Sequence, residues 1–268
     1  MTEALFSIEG DSFLPSSLAG SPWHHDLLHG GAPAGLLAFC LEREALGLGL
    51  QPAKLSIDLL KPVPKSPLSV RVRTLRKGKR IMLLVASLMA GNNIVAEASC
   101  LLVKPQQIKL PDYACQDKQV IESPLALKEV SFQDILFGSS GYMPPGLHTT
   151  IQLRPVTPLA ERGRGTAWIL LPVPIVSGNS NTPFMLAALA SDFGNGVGQL
   201  RLGENVGTIN ADIILQLSRL PEGEWIGLDS VALLDDMGVG QVNTTLHDVH
   251  GRIGQVSQTI MPMGEFSG

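Results

Sequence analysis

A chain of 268 residues with 44% hydrophobic and 16% charged side chains has apolar material for two cores of ordinary size and little surface charge, which suits a globular homo-oligomer. Its formal net charge of -4 argues against a general nucleic-acid binder, which needs a basic footprint against phosphate. Glu3, Glu9, Asp11 and Asp26 break any signal-peptide core, and no apolar run reaches the roughly 18 residues of a membrane span, so the expectation is a cytoplasmic protein without membrane insertion.

The first strong pattern is a helix from about Gly31 to Leu46, with Pro33 in its first turn and Ala34, Leu36, Leu37, Phe39 and Leu41 apolar almost all round. A helix of that composition belongs inside. It begins at His29-Gly30-Gly31-Ala32, where free backbone N–H groups and the positive end of the helix dipole can approach a ligand. Gly30, Gly31 and Ala32 are therefore the candidate oxyanion donors, while His29 reads as a structural residue of the turn. Strands follow at Leu55 to Leu60, Leu68 to Val72, Ile81 to Leu88 and Ile94 to Val103, separated by Pro62, Pro64, Gly78 and Gly91-Asn92, the pattern of an antiparallel meander. One turn carries Arg76, Lys77, Lys79 and Arg80. It is the only basic cluster, able to meet phosphates through charge-assisted bonds and otherwise a solvated hairpin tip.

Lys104 to about Ser123 is polar, Gln-rich and Pro-punctuated, as a linker is. The order then repeats: a strand-rich piece from Thr149 to Val176, and an apolar helix from about Pro183, capped by Asn181 or Thr182 and fading at Gly194 and Gly196. Strands follow at Thr208 to Leu217, Ile226 to Leu233, Gly240 to Leu246 and Gly254 to Met261. The expected architecture is α+β: two tandem hotdog units, each an antiparallel sheet wrapped around a central helix. Their expected limits are 1–104 and 126–268, joined by 105–125. Cys40, Cys100 and Cys115 are far apart and form no CxxC pair, so neither a disulfide framework nor a metal site is expected.

Between Thr182 and Leu200 the only charged side chain is Asp192, and its helical neighbours Met185, Ala188, Leu189 and Gly196 are uncharged. Burying a carboxylate costs several kcal/mol unless donors receive it, so such a residue is a structural anchor or a catalytic group. Gln258 is an amide on one strand face with Val256 and Ile260, either a core residue satisfied by backbone or a group that orients a ligand. Thr208 alternates with Asn210 and Asp212 on a face that could simply meet solvent.

These residues carry a resemblance. His29-Gly30-Gly31-Ala32-Pro33-Ala34, with Leu59 and Lys61-Pro62-Val63-Pro64 downstream, resembles the amino-terminal domain of acyl-CoA thioesterase II-like proteins. The run Ser191 to Val197, Ile209-Asn210 and Leu220-Pro221-Glu222-Gly223-Glu224-Trp225 resembles their carboxy-terminal domain. The resemblance implies a cofactor-free thioesterase of fatty acid metabolism acting on acyl-CoA. It further implies that Asp192, Thr208 and Gln258 hold the attacking water, Asp192 as general base. Asn210 departs from the bacterial type member, which has an acidic residue there. Ser99 opposite Gln258, and Glu42 as a solvated helix end opposite Asp192, lead us to expect one working site per chain. Two other readings are a hotdog enoyl-CoA hydratase or dehydratase, for which no histidine accompanies Asp192 in sequence, and a noncatalytic acyl-CoA-binding module.

Overall fold

The computed structural model describes residues 3–114, 120–132, 135, 144–159, 162–203 and 206–263; Cys115 lies outside them. In the first half the chain forms strands β1 (Phe6–Glu9) and β2 (Ser12–Pro15), helix α1 (Gly31–Glu44), and strands β3 (Gln51–Leu59), β4 (Leu68–Lys77), β5 (Ile81–Ala90) and β6 (Asn93–Val103). The second half opens with a short helix α2 (Leu147–Thr150), β7 (Gln152–Pro155) and β8 (Arg164–Leu170). Helix α3 (Pro183–Ala190) runs through a 3₁₀ turn (Ser191–Phe193) into α4 (Gly194–Val197). Strands β9 (Thr208–Asn210), β10 (Asp212–Leu217), β11 (Ile226–Leu234), β12 (Gly240–Asp248) and β13 (Gly251–Pro262) complete it. The described part of 105–123 adds only a 3₁₀ turn at Asp112–Ala114.

The two halves share one antiparallel sheet in the order β1-β2-β4-β5-β6-β3-β10-β13-β12-β11-β8-β7, with β9 beside β13. Its seam is β3 against β10, where Leu55 pairs with Leu215 and Ile57 with Ile213. The sheet curls around α1 and α3, which is the tandem hotdog arrangement expected. Both helices are apolar on nearly every side because both are enclosed: Leu36, Leu37 and Leu41 of α1 and Phe184, Ala187 and Ala188 of α3 are fully buried. The predicted cap of α3 forms, with the Thr182 hydroxyl accepting the Met185 N–H at 3.1 Å and Pro183 at the first helical position.

One expectation is corrected. β3 does not continue into β4 as a meander; it pairs with β6, while β4, β5 and β6 are joined by hairpins. The intervening Leu60–Pro67 segment holds Pro62, Pro64 and Pro67, which lack the N–H that a strand ladder needs and are unsuited to a tight hairpin here. Its backbone is satisfied elsewhere, with the Leu60 and Lys61 N–H groups both donating to Val95 O at 3.1 Å and Leu28 N–H to Val63 O at 2.9 Å. The segment therefore stands off the sheet beside the start of α1. The amino terminus ties the halves together again, as Leu5 and Phe6 donate to Pro174 O and Ile175 O at 3.0 and 2.9 Å. Among the described residues no helix is long and apolar enough to cross a membrane.

Candidate active site

The two buried helices run antiparallel and touch at both ends. Where α1 begins, α3 gives way to its 3₁₀ turn, and the approach is close: a Cβ on Gly31 would lie 2.8 Å from Leu189 O, and one on Gly30 would lie 2.7 Å from Asp192 Oδ1. Side chains are excluded there, which is why the turn is glycine-rich. The carboxylate of Asp192 is thereby pressed against the start of α1.

Asp192 is buried, and its oxygens are met by donors. His29 Nδ1 lies 2.9 Å from Oδ2, Asn210 Nδ2 donates to Oδ1 at 3.0 Å, and the Gly31 N–H, 3.2 Å from His29 Nδ1, adds its dipole beside the carboxylate. Burial by itself pushes this carboxyl up. The His29 bond and charge, the Asn210 amide and the Gly31 N–H outweigh it and hold the group below the usual aspartate value. The His29 ring stacks on Phe193 with centroids 4.5 Å apart.

A cavity of about 480 Å³ opens on this cluster. Its polar wall includes His29, Asp192, Asn195, Thr208 and Asn210, and Leu27, Leu28, Leu59, Leu60, Phe132 and Met263 are among its apolar lining. Lys61 and Pro62, from the Pro-rich segment that left the sheet, form part of the rim. His148 of α2 is also in the wall and is buried. Its Nε2 lies 3.1 Å from Pro144 O, and since a carbonyl only accepts, that nitrogen carries the proton. Burial first, then the nearby His29, push the His148 ring down to about 4 despite the Pro144 bond, so it is neutral near neutral pH.

The expected residues fall into different places. Asp192 and Thr208 share the cavity wall. Thr208 is buried and does not face solvent; its hydroxyl donates to Asn195 Oδ1 at 2.8 Å while Asn195 Nδ2 donates to Thr208 O at 2.9 Å. Gln258 is fully buried and is not among the lining residues. It sits behind Gly194, where a Cβ would lie 2.7 Å from its Oε1, and neither amide atom has a hydrogen-bond partner. Of the oxyanion candidates, Gly30 borders the cavity and its N–H makes no hydrogen bond among the described residues. The Gly31 N–H is turned toward His29 Nδ1 at 3.2 Å, and the Ala32 N–H donates to His29 O at 3.0 Å.

The basic turn lies apart from the cavity. Arg76, Lys77, Lys79 and Arg80 are exposed at the β4–β5 hairpin, level with the Gln51 end of β3, because Gln51 and Ile81 both pair with Val103. The cavity lies at the Leu59 end. The nine residues of β3 separate the two by roughly 26 Å at about 3.3 Å per residue. Glu42 is corrected: it is half-buried and accepts a hydrogen bond from Thr182 instead of ending the helix in solvent.

Two residues were undervalued or missed in the sequence. His29, which the sequence suggests is a structural residue of its turn, meets the Asp192 carboxylate across the helix pair although the two are far apart in sequence; the only local signal is its place beside the glycines. Asn195 was not singled out, although it follows Asp192 by nearly one helical turn.

Comparison with known proteins accords with the architecture. Residues 19–103 match the sequence model of the acyl-CoA thioesterase N-terminal domain, and residues 124–261 that of the acyl-CoA thioesterase C-terminal domain. Similar solved structures include a provisionally named thioesterase from Novosphingobium aromaticivorans, at 17% identity and TM-score 0.68 over 97% of this chain and 99% of that one. The acyl-CoA thioesterase II TesB2 of Mycobacterium marinum aligns at 14% identity and TM-score 0.64 over 87% and 90%. A hot dog fold protein of unknown function from Alicyclobacillus acidocaldarius aligns at 12% and 0.67 over 97% and 96%. No sequence among the curated proteins matches the chain.

Proposed function

This chain belongs to the acyl-CoA thioesterase family, and on that premise we propose that it hydrolyses acyl-CoA to a carboxylic acid and CoA in the cavity at the junction of α1 and α3. The observation that carries the reading is the buried, ionised Asp192 on the wall of an otherwise largely apolar cavity. Such a site can receive an acyl or pantetheine chain on one side and activate water on the other.

A thioester carbonyl needs an activated water and a place for negative charge on oxygen. Asp192 supplies the buried negative charge that activates the attacking water. Thr208, fixed by Asn195, helps set its position. Gln258 packs directly behind Gly194, two residues after Asp192, and its buried, unpartnered amide is the group assigned to orient the same water. The oxyanion is received at Gly30 N–H, at the positive end of α1. Lys61 on the rim is the nearest exposed cation to the cavity and meets CoA phosphate in place of the remote basic turn.

The test is release of free thiol from acyl-CoAs of several chain lengths. Wild-type protein releases CoA from at least one of them, and Asp192→Asn lowers that rate about 10² to 10⁴-fold. Full activity of Asp192→Asn on every substrate would overturn the assignment. The pairing of Asp192 with a histidine favours one second reading, addition of water to an enoyl-CoA, which consumes the double bond and liberates no thiol. Homo-oligomerisation, supported by the low charged content, and cytoplasmic residence, supported by the charged residues that interrupt the first thirty positions, are part of the proposal.

A further inference from the structure

We propose that the group accepting the water's proton in this site is Nε2 of His29, with Asp192 positioning the imidazole in the tautomer that leaves this nitrogen unprotonated. The inference rests on the hydrolase reading above and specifies which atom acts as base.

The argument begins with the valences of Asp192. One carboxylate oxygen faces His29 Nδ1 at 2.9 Å and the other receives Asn210 Nδ2 at 3.0 Å, with the Gly31 N–H dipole close by. A carboxylate so supplied is well stabilised as an anion. Those same donors hold its affinity for a proton down, so it makes a weak base and a good anchor.

His29 has the complementary properties. An ionised carboxylate only accepts, so the 2.9 Å contact requires the hydrogen on Nδ1. The Gly31 N–H approaches the same nitrogen at 3.2 Å; Nδ1 cannot accept that bond and donate to Asp192 at once, and the shorter, charge-assisted contact at 2.9 Å prevails. In the neutral ring Nε2 then holds a lone pair, and among the described residues it has no hydrogen-bond partner. The side chain is 15% exposed and lines the cavity, against 7% for Asp192. Phe193 stacks on the ring and fixes its plane. A carboxylate, an imidazole that lines the cavity and an unpartnered second ring nitrogen form the arrangement that activates a nucleophile in acyl transfer; here water takes the place of a side-chain hydroxyl.

The step balances without a further reactant. Water oxygen forms a bond to the thioester carbon as its proton passes to Nε2, the C–O π pair moving to the oxyanion. Collapse of the tetrahedral intermediate breaks the C–S bond, and the Nε2 proton goes to the departing thiolate. Asp192 stabilises the transient imidazolium and stays ionised. The other titratable or charged groups around this ring are His148 from α2, neutral near neutral pH, and Lys61 on the rim.

The experiment compares wild type, His29→Ala and Asp192→Asn on one acyl-CoA that the wild type cleaves, measuring kcat and KM against pH, with and without added imidazole. Histidine-labelled protein is examined by ¹⁵N NMR to read the tautomer of His29 directly. The expected result is a fall in kcat of about 10² to 10⁴-fold in His29→Ala with KM little changed, loss of the acid limb of kcat/KM, and partial recovery with imidazole. Asp192→Asn falls without imidazole rescue, and wild-type His29 shows hydrogen on Nδ1. The inference is overturned, with the hydrolase reading intact, if His29→Ala keeps kcat within about threefold while Asp192→Asn loses it, or if the NMR places the neutral-ring hydrogen on Nε2. If wild type cleaves no acyl-CoA, the hydrolase reading and the inference fail together.

Discussion

The Glu42 carboxylate accepts a hydrogen bond from the Thr182 hydroxyl, so the last turn of α1 is tied to the cap of α3. Asp192 makes the reciprocal contact at the other end, beyond the last turn of α3 and against the first turn of α1. The two acids occupy equivalent places in the repeat, but only Asp192 opens onto the cavity.

Thr182 serves both Glu42 and the Met185 N–H. Thr182→Ala removes a helix cap and leaves a half-buried acid without its donor, which costs about 1 to 2 kcal/mol. Urea unfolding at neutral pH reads this as a lower midpoint with an unchanged slope, while kcat stays at the wild-type value. Burial raises the Glu42 carboxyl, only partly offset by the Thr182 bond. A raised carboxyl makes stability fall as pH rises between its unfolded and folded values, and Glu42→Gln abolishes that fall.

For Asp192 the sign is opposite. Burial raises the carboxyl, but the His29, Asn210 and Gly31 donors bring its folded value below the unfolded one. Its contribution to stability is therefore fully present above the unfolded value, near 3.8, and is lost as pH falls through the folded value. Denaturant midpoints across this acid range decline in the wild type more steeply than in Asp192→Asn.

A methyl group at Gly30 would overlap the Asp192 carboxylate, with contacts of 2.7 to 2.9 Å. Something must shift, and the side chain can swing more readily than α1 can move. Gly30→Ala lowers kcat about 10²-fold, the scale of a roughly 1 Å misplacement of a reacting group, while far-UV circular dichroism stays that of the wild type.

Gln258 sets stability against activity. Both of its amide atoms are buried without a partner, a condition that costs about 1 to 3 kcal/mol. Gln258→Met keeps the length and removes the polarity, so its unfolding free energy rises by that amount. If the amide orients the attacking water, kcat falls at least tenfold in the same protein, and the two measurements together separate a functional amide from a structural one.

Much of this was legible in the chain. Helices declared themselves through uninterrupted apolar runs, with Pro33 and Thr182 marking their starts, because helix caps and first turns are written locally. The buried face of β13 followed from alternation, and Asp192 stood out as a charge that an apolar segment has no other reason to carry. What escaped depends on how the halves meet. Nothing near His29 indicates that a carboxylate from the other half will reach it, and the burial of Glu42 is equally invisible until α3 is laid beside α1. Alternation placed Gln258 inside but could not say on which side of Gly194. For the basic turn, the sequence located the hairpin without revealing which end of β3 it shares.

The β3–β10 seam makes a pair of sheets inseparable that could otherwise have belonged to two molecules. Covalent continuity guarantees that each half meets its complement. One half can retain the imidazole and the other the acid, and the pair is inherited as a unit. His29 comes from one half and Asp192 from the other, so neither half alone holds the contact between them.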